Sequence, residues 1–204
     1  MSIQYPRAIE NLIEQFSKLP GVGRKTAERY VFFISKQSPS QIKILAKELN
    51  NLSSSINFCQ ECFVLSEKNT CSICSNQKRD SSYLCIVSSL QDIISIESTN
   101  QYNGKYFVLN NLINTIEDIG PEKINIKDLI KKINKLVKEL SEIEIILALS
   151  PTIEGETTSL YLRKIINSPK IKMSKLAQGL SIGSSLEYVD EDTLGKALKN
   201  RNKL

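Results

Sequence analysis

The chain opens on a helical rhythm. Ile9, Leu12, Ile13 and Phe16 stand at i, i+3, i+4 and i+7 behind Pro6, which suits a first turn, so a helix is predicted that ends near Leu19. Pro20-Gly21-Val22-Gly23 reads as a tight turn, and Ala27, Tyr30, Val31 and Ile34 resume the period over residues 24–36. Ile42, Leu45, Leu49 and Leu52 line one face of a third helix, predicted from Ser38 or Ser40 to about Leu52. Residues 1–57 therefore read as a small all-helical unit. Residues 59–79 follow neither period; polar and rich in cysteine, they cannot build a core alone and must be held by something else.

From Asp80 the pattern changes to apolar strands alternating with helices. Strands are predicted over 83–87, 105–109, 143–149 and 171–176, and helices over 90–96 and 157–166. Ile126, Leu129, Ile130, Ile133, Leu136, Val137 and Leu140 mark one long amphipathic helix among them. Strands this apolar, with Glu144 the exception in 143–149, predict a parallel sheet covered on both faces. Residues 178–204 carry Gly-containing turns, a short predicted strand near 186–189 and a last helix from about Glu191. The expected fold class is a multi-domain α+β protein: a helical bundle, a cysteine module, an α/β domain with a mainly parallel sheet, and a C-terminal strand and helix segment.

Composition changes the picture in three ways. With 41% hydrophobic and 24% charged residues over 204 positions, the chain is globular in type. No apolar run approaches the roughly 18 residues of a membrane span, and the start MSIQYPRAIEN has no apolar signal-peptide core, so a cytosolic location is expected. The chain has no His, which removes Ser-His-Asp and Cys-His catalysis and every His-ligated metal site. The net charge of +5 points only weakly to a polyanion, because 27 Ile against 6 Ala indicate an AT-rich coding bias that also inflates Lys. Its position says more: residues 1–57 carry 8 basic and 4 acidic residues, 58–79 carry 3 and 2, and 80–204 carry 16 and 16.

Cys59-x2-Cys62 and Cys71-x2-Cys74 form two CxxC knuckles separated by eight residues. Four thiolates at this spacing close a tetrahedron around one Zn²⁺, and four protein ligands leave no open position for water, so the expected ion is structural. Buried free thiols or a redox pair are the weaker readings. Cys85, inside an apolar strand, reads as a small packed hydrophobe.

The run Leu19-Pro-Gly-Val-Gly-Arg-Lys-Thr-Ala-Glu-Arg29 joins two predicted helices. Amides of Gly21 and Gly23, with the helix N-terminus that follows, form a natural anion site. Lys25 and Arg29 lie four apart on one face and Arg24 adds charge, so sequence-independent, salt-sensitive binding of DNA phosphates is expected. An ordinary hairpin with a solvated charged face is the competing reading. After the strand 143–149 stands Ser150-Pro-Thr-Ile-Glu154-Gly-Glu156, at the sheet end where α/β proteins bind ligands. Glu154 and Glu156 there fit either a Mg²⁺ site or a protein-contact patch at a helix N-terminus, and the sequence leaves the two even.

The hairpin, the four cysteines, Cys85-Ile-Val, Asp92-Ile-Ile-x-Ile-Glu97 and Lys105-Tyr-Phe-Val-Leu occur in that order. Ser150-Pro-Thr-Ile-Glu-Gly-Glu and Gly183-x-x-Leu-Glu-Tyr-Val-Asp190-x-x-Thr-Leu194 follow. Together they resemble the RecR family of bacterial recombination mediators over essentially the whole chain. The resemblance implies a helix-hairpin-helix domain at 1–57, a C4 zinc finger at 58–79, a Toprim domain at 80–177 and an association segment at 178–204. It also implies a dimer or ring-like tetramer that acts with RecO and RecF to load RecA on gapped DNA coated by single-strand-binding protein. Catalytic Toprim proteins place a Glu after the first strand and Asp-x-Asp after a later one; the corresponding residues here are Ser88, Ser150 and Thr152. Hydroxyls do not supply the charge that holds Mg²⁺. Family members commonly keep the first Glu, so Ser88 departs from them too. The acidic patch that contacts RecO maps onto Glu154 and Glu156, while Gln178, Ser181 and Ser184 replace a usual basic residue or His, a Pro and a Gly.

The favoured expectation is a non-enzymatic, nucleoid-associated DNA-binding mediator. The alternatives are a Mg²⁺-dependent Toprim nuclease or topoisomerase-like enzyme, and a zinc-stapled protein scaffold that does not touch DNA.

Overall fold

The computed structural model describes residues 5–201, apart from the side chain of Ser53. The chain divides into two compact units, Met1–Ser55 and Ile56–Leu204.

The first unit contains α1 (Arg7–Phe16), α2 (Arg24–Ser35) and α3 (Pro39–Ser55). Helix α1 stops at Phe16, short of the expected Leu19, where the Ser17 hydroxyl and amide both turn back onto the Ile13 carbonyl. Ile13, Ala27 and Val31 are buried, with Ile9, Phe16 and Val22 packed around them. Helix α3 forms as its periodicity predicts, but its apolar face is not buried: Ile42, Leu45, Leu49 and Leu52 are 38, 43, 60 and 59% exposed. The small core of the α1–α2 hairpin leaves that face uncovered among the described residues.

The second unit begins with β1 (Asn57–Phe58) and β2 (Leu65–Ser66), an antiparallel pair with Phe58 opposite Leu65, followed by the short α4 (Ser72–Ser75). Then come β3 (Asp80–Val87), α5 (Leu90–Ser98), β4 (Gly104–Val108), a 3₁₀ turn at Pro121–Lys123, α6 (Ile126–Glu139), β5 (Ile143–Leu147), α7 (Ile153–Ile165) and β6 (Ile171–Lys175). The strands pair in the order β4-β3-β5-β6, all parallel, as βαβ alternation dictates. A capping box starts α5: the Ser89 hydroxyl accepts from the Asp92 amide, and the Asp92 carboxylate accepts from the Ser89 amide.

Alternate residues of the sheet feed two cores. Leu84, Ile86, Phe107, Ile145 and Leu147 pack against Leu129 and Ile133 of α6 and Leu162 of α7. On the other face Cys85, Val87, Tyr106 and Val108 pack with Ile93 of α5 and with Cys59, Cys62, Val64 and Cys71. The cysteine segment, which lacks a core of its own, is held by this sheet face. Glu144, the polar residue in an apolar strand, accepts a hydrogen bond from the Ser174 hydroxyl at 2.6 Å.

Two expectations near the C-terminus change. Helix α7 starts at Ile153, earlier than residue 157, because Thr152 caps it by accepting from the Gly155 amide. Residues 186–188 form a 3₁₀ turn rather than a strand, since among the described residues no neighbouring strand offers them a ladder, and α8 (Glu191–Lys199) follows behind its Asp190 cap.

Candidate metal centre and nucleic-acid hairpin

The knuckles bring four sulfurs together. The Sγ atoms of Cys59, Cys62, Cys71 and Cys74 all lie within 4.8 Å of one another, and those of Cys62 and Cys71 are 3.6 Å apart. A tetrahedral ion with metal–sulfur bonds of about 2.3 Å needs sulfur pairs about 3.8 Å apart, so the donor set fits one metal ion. The Cys71 amide donates to Cys59 Sγ at 3.3 Å and the Cys74 amide to Cys71 Sγ at 3.4 Å, bonds that stabilise sulfur carrying negative charge. Hydrogen bonds from Cys62 and Cys74 hold the Cys71 thiol far below its ordinary range, while bonding to Cys71 pushes Cys62 up. Phe63 adopts φ 62°, turning the chain sharply after Cys62, and its ring lies 5.4 Å from that of Phe107. Cys85 stands apart in β3, 2% exposed, its thiol pushed up to about 12 by burial.

The hairpin residues take the geometry that the glycines allow. Gly21 has φ +74°, the left-handed region that favours glycine, and a Cβ at Gly21 or Gly23 would meet open space. Gly23 is the N-cap of α2, which has neither a side-chain cap nor an acidic residue in its first turn. Lys25 and Arg29 are exposed, and among the described residues no ion pair or hydrogen bond engages them. Arg24 differs: it bonds Glu10 of α1 at 2.6 Å and Glu28 at 3.3 Å, and Glu10 holds its guanidinium above its usual range.

The sheet end separates the two glutamates. Both sit in the first turn of α7, where the helix dipole favours them. Glu154 lines a cavity of about 310 Å³ with Ser88, Asn110 and Glu117, and the turn's own amide and the Thr152 hydroxyl hold its carboxyl below the usual range. Glu156 points elsewhere and pairs with Lys175 of β6, which likewise lowers its carboxyl. Two residues apart on a helix, they do not share one face. Ser88, directly after β3, gives its amide and hydroxyl to Asp92 at 3.1 and 2.6 Å.

A family model described as RecR, helix-hairpin-helix matches residues 9–52, the Toprim domain model matches 82–177, and the RecR, C-terminal model matches 179–202. The chain is 41% identical over 199 residues to the Recombination protein RecR of Chloroherpeton thalassium, covering 97% of each. It is 44% identical over 195 residues to that of Amoebophilus asiaticus, covering 96% of each. The chain belongs to the RecR family. Of the RecR motifs in the sequence, the four cysteines converge most tightly, and the hairpin stands open to solvent.

Several residues to which the sequence assigns no role hold the cysteine module in place. Lys105, the second residue of β4, sends its ammonium to the carbonyls of Ile73, Cys74 and Asn76 at 3.0, 3.0 and 2.8 Å, gripping the end of the second knuckle. A lysine leading an apolar strand was the available signal. The first knuckle is fixed by the Val108 amide on the Cys62 carbonyl at 2.8 Å and by Lys132 on the Glu61 carbonyl at 2.7 Å. Arg79 pairs with Glu97, which also accepts from the Tyr106 hydroxyl at 2.6 Å, closing the exit of the module onto α5 and β4. No sequence period announces those pairings.

Proposed function

We propose that this protein is a non-enzymatic DNA-binding mediator of recombinational repair. Membership of the RecR family, whose relatives are named recombination proteins, supports the repair role. The hairpin supports the DNA contact, and one observation carries it: two unengaged cations, Lys25 and Arg29, stand beside the uncapped, acid-free start of α2 and an open glycine turn. Amides of that turn and the Lys25 and Arg29 side chains hold phosphates, and Arg24, exposed beside them while paired with Glu10, adds charge to the same site. The ion at the four cysteines is Zn²⁺, because an all-thiolate tetrahedron is the donor set zinc prefers.

In this reading residues 1–57 grip DNA, 58–79 hold zinc, 80–177 present the Toprim surface and 178–204 serve association. Glu154 and Glu156 meet a protein partner, RecO, and RecF joins it to load RecA at gapped, protein-coated DNA. A dimer or tetrameric ring makes weak phosphate sites act together, and the exposed leucines of α3 support such assembly. The protein acts in the cytoplasm at the nucleoid; among the described residues no helix is long and apolar enough to cross a membrane. Catalysis is not part of the reading, because Ser88, Ser150 and Thr152 offer hydroxyls where Toprim enzymes hold Mg²⁺ by carboxylates.

Fluorescence anisotropy with a gapped duplex tests the proposal. The Lys25→Ala/Arg29→Ala protein is expected to bind at least tenfold more weakly, with a shallower salt dependence. Unchanged affinity in a normally melting variant would refute the hairpin contact. Mg²⁺-dependent cleavage or strand passage that disappears in Glu154→Gln would refute the non-enzymatic reading.

A further inference from the structure

The unit Ile56–Leu204 carries a charge feature of its own. Helix α6 holds five lysines against two acids, whereas the rest of residues 80–204 holds 11 basic and 14 acidic residues. At 100° per residue, Lys127, Lys131, Lys135 and Lys138 fall within an arc of about 80° and run about 16 Å along the axis. All four are exposed, opposite the buried Ile126, Leu129 and Ile133. Lys131 pairs with Asp128 at 2.8 Å; among the described residues nothing engages Lys127, Lys135 or Lys138.

The stripe borders a cavity of about 500 Å³ between α6 and the cysteine module, whose lining includes Arg79, Lys105, Lys132 and Lys135 against Glu61 and Glu139. Lys105 and Lys132 are already bonded to carbonyls and Arg79 to Glu97, so they raise the local potential without being free to leave. Lys135 belongs to both features and joins them.

We propose that the α6 stripe, leading to this cationic cleft, is a second nucleic-acid backbone surface, separate from the hairpin. An acidic protein partner fits less well, because such interfaces centre on an apolar or aromatic anchor and no large apolar side chain of α6 is among the exposed ones. A phosphate chain needs only spaced cations: the lysines recur every three or four residues, about 4.5 to 6 Å. The proposal rests on the nucleic-acid reading above but not on the hairpin contact.

The test uses the full chain and a fluorescent gapped duplex over a salt series. Lys127→Ala/Lys135→Ala/Lys138→Ala is expected to weaken binding tenfold or more near physiological salt. It should also reduce the slope of log K against log[salt] by about 2 to 3, since each backbone contact contributes 0.7–0.9. Arg at the same three positions restores both. The side chains are exposed, so melting should be unchanged. An unchanged slope and affinity in the Ala variant overturns the proposal; so does loss of binding confined to Lys25→Ala/Arg29→Ala, which leaves the hairpin reading intact. Loss confined to the α6 variant supports the stripe and removes the hairpin. Unchanged DNA binding with lost retention on polyglutamate overturns the proposal in favour of an acidic protein partner.

Discussion

Gly155 stands in the first turn of α7, buried, and a Cβ there would press into the Ser150 carbonyl oxygen of the preceding turn. The obstacle is backbone, so it cannot rotate aside. Gly155→Ala should therefore destabilise the protein by about 1–3 kcal/mol, despite the better helix propensity of Ala, with a lowered melting temperature as the readout. Glu97 gives a second residue-level expectation. Its bonds to Arg79 hold its carboxyl below the ordinary value, so the folded state favours the ionised form. The stabilisation is complete above the unfolded carboxylate range and disappears as the pH falls through the lowered value. Denaturant midpoints of wild type and Glu97→Gln should thus differ most near pH 7 and draw together only as the pH falls below the unfolded glutamate value of about 4.3. A gap that stays constant across that range would assign Arg79–Glu97 no electrostatic role.

At the scale of elements, the cysteine module of the proposed zinc-bound protein has two supports, the metal and the sheet. Lys105 alone satisfies three carbonyls at the end of the second knuckle, and an ammonium–carbonyl bond is worth about 1.5–3 kcal/mol. Lys105→Met keeps the stem and removes the charge. It should speed transfer of zinc to a chelator while leaving the stoichiometry of the purified protein at one. Cys71→Ser acts from the other side: a three-thiolate site binds less tightly, and lost metal affinity is lost folding free energy. Reduced zinc content and an earlier melting transition are expected. The helices other than α4 were legible from the 3.6 period, and the four parallel strands from short, largely apolar runs. The start of α7 was not, because its first turn, Ile153-Glu-Gly-Glu, is polar and contains a glycine there for close approach. The turn at 186–188 has the alternation of a strand, yet a strand also needs an edge to join.

Across the whole molecule, three of the four cysteines lie in the same core cluster as Val87, Tyr106 and Val108. Removing the ion should therefore loosen one face of the sheet as well as the knuckles. Hydrogen exchange after chelation is expected to accelerate in β3 and β4 but not in α1 and α2, whose core is made of Ile13, Ala27 and Val31. Uniform acceleration through both units would contradict this division. The four-cysteine cluster and the cationic hairpin were readable because each is a local spacing of chemically specific residues. The order β4-β3-β5-β6, the pairing of Glu156 with Lys175 and the engagement of Arg24 by Glu10 were decided only in three dimensions. Spacing along a chain fixes which residues are near in sequence and how elements present their faces; which face meets which, and which charges neutralise each other, depends on contacts between segments that no local period encodes.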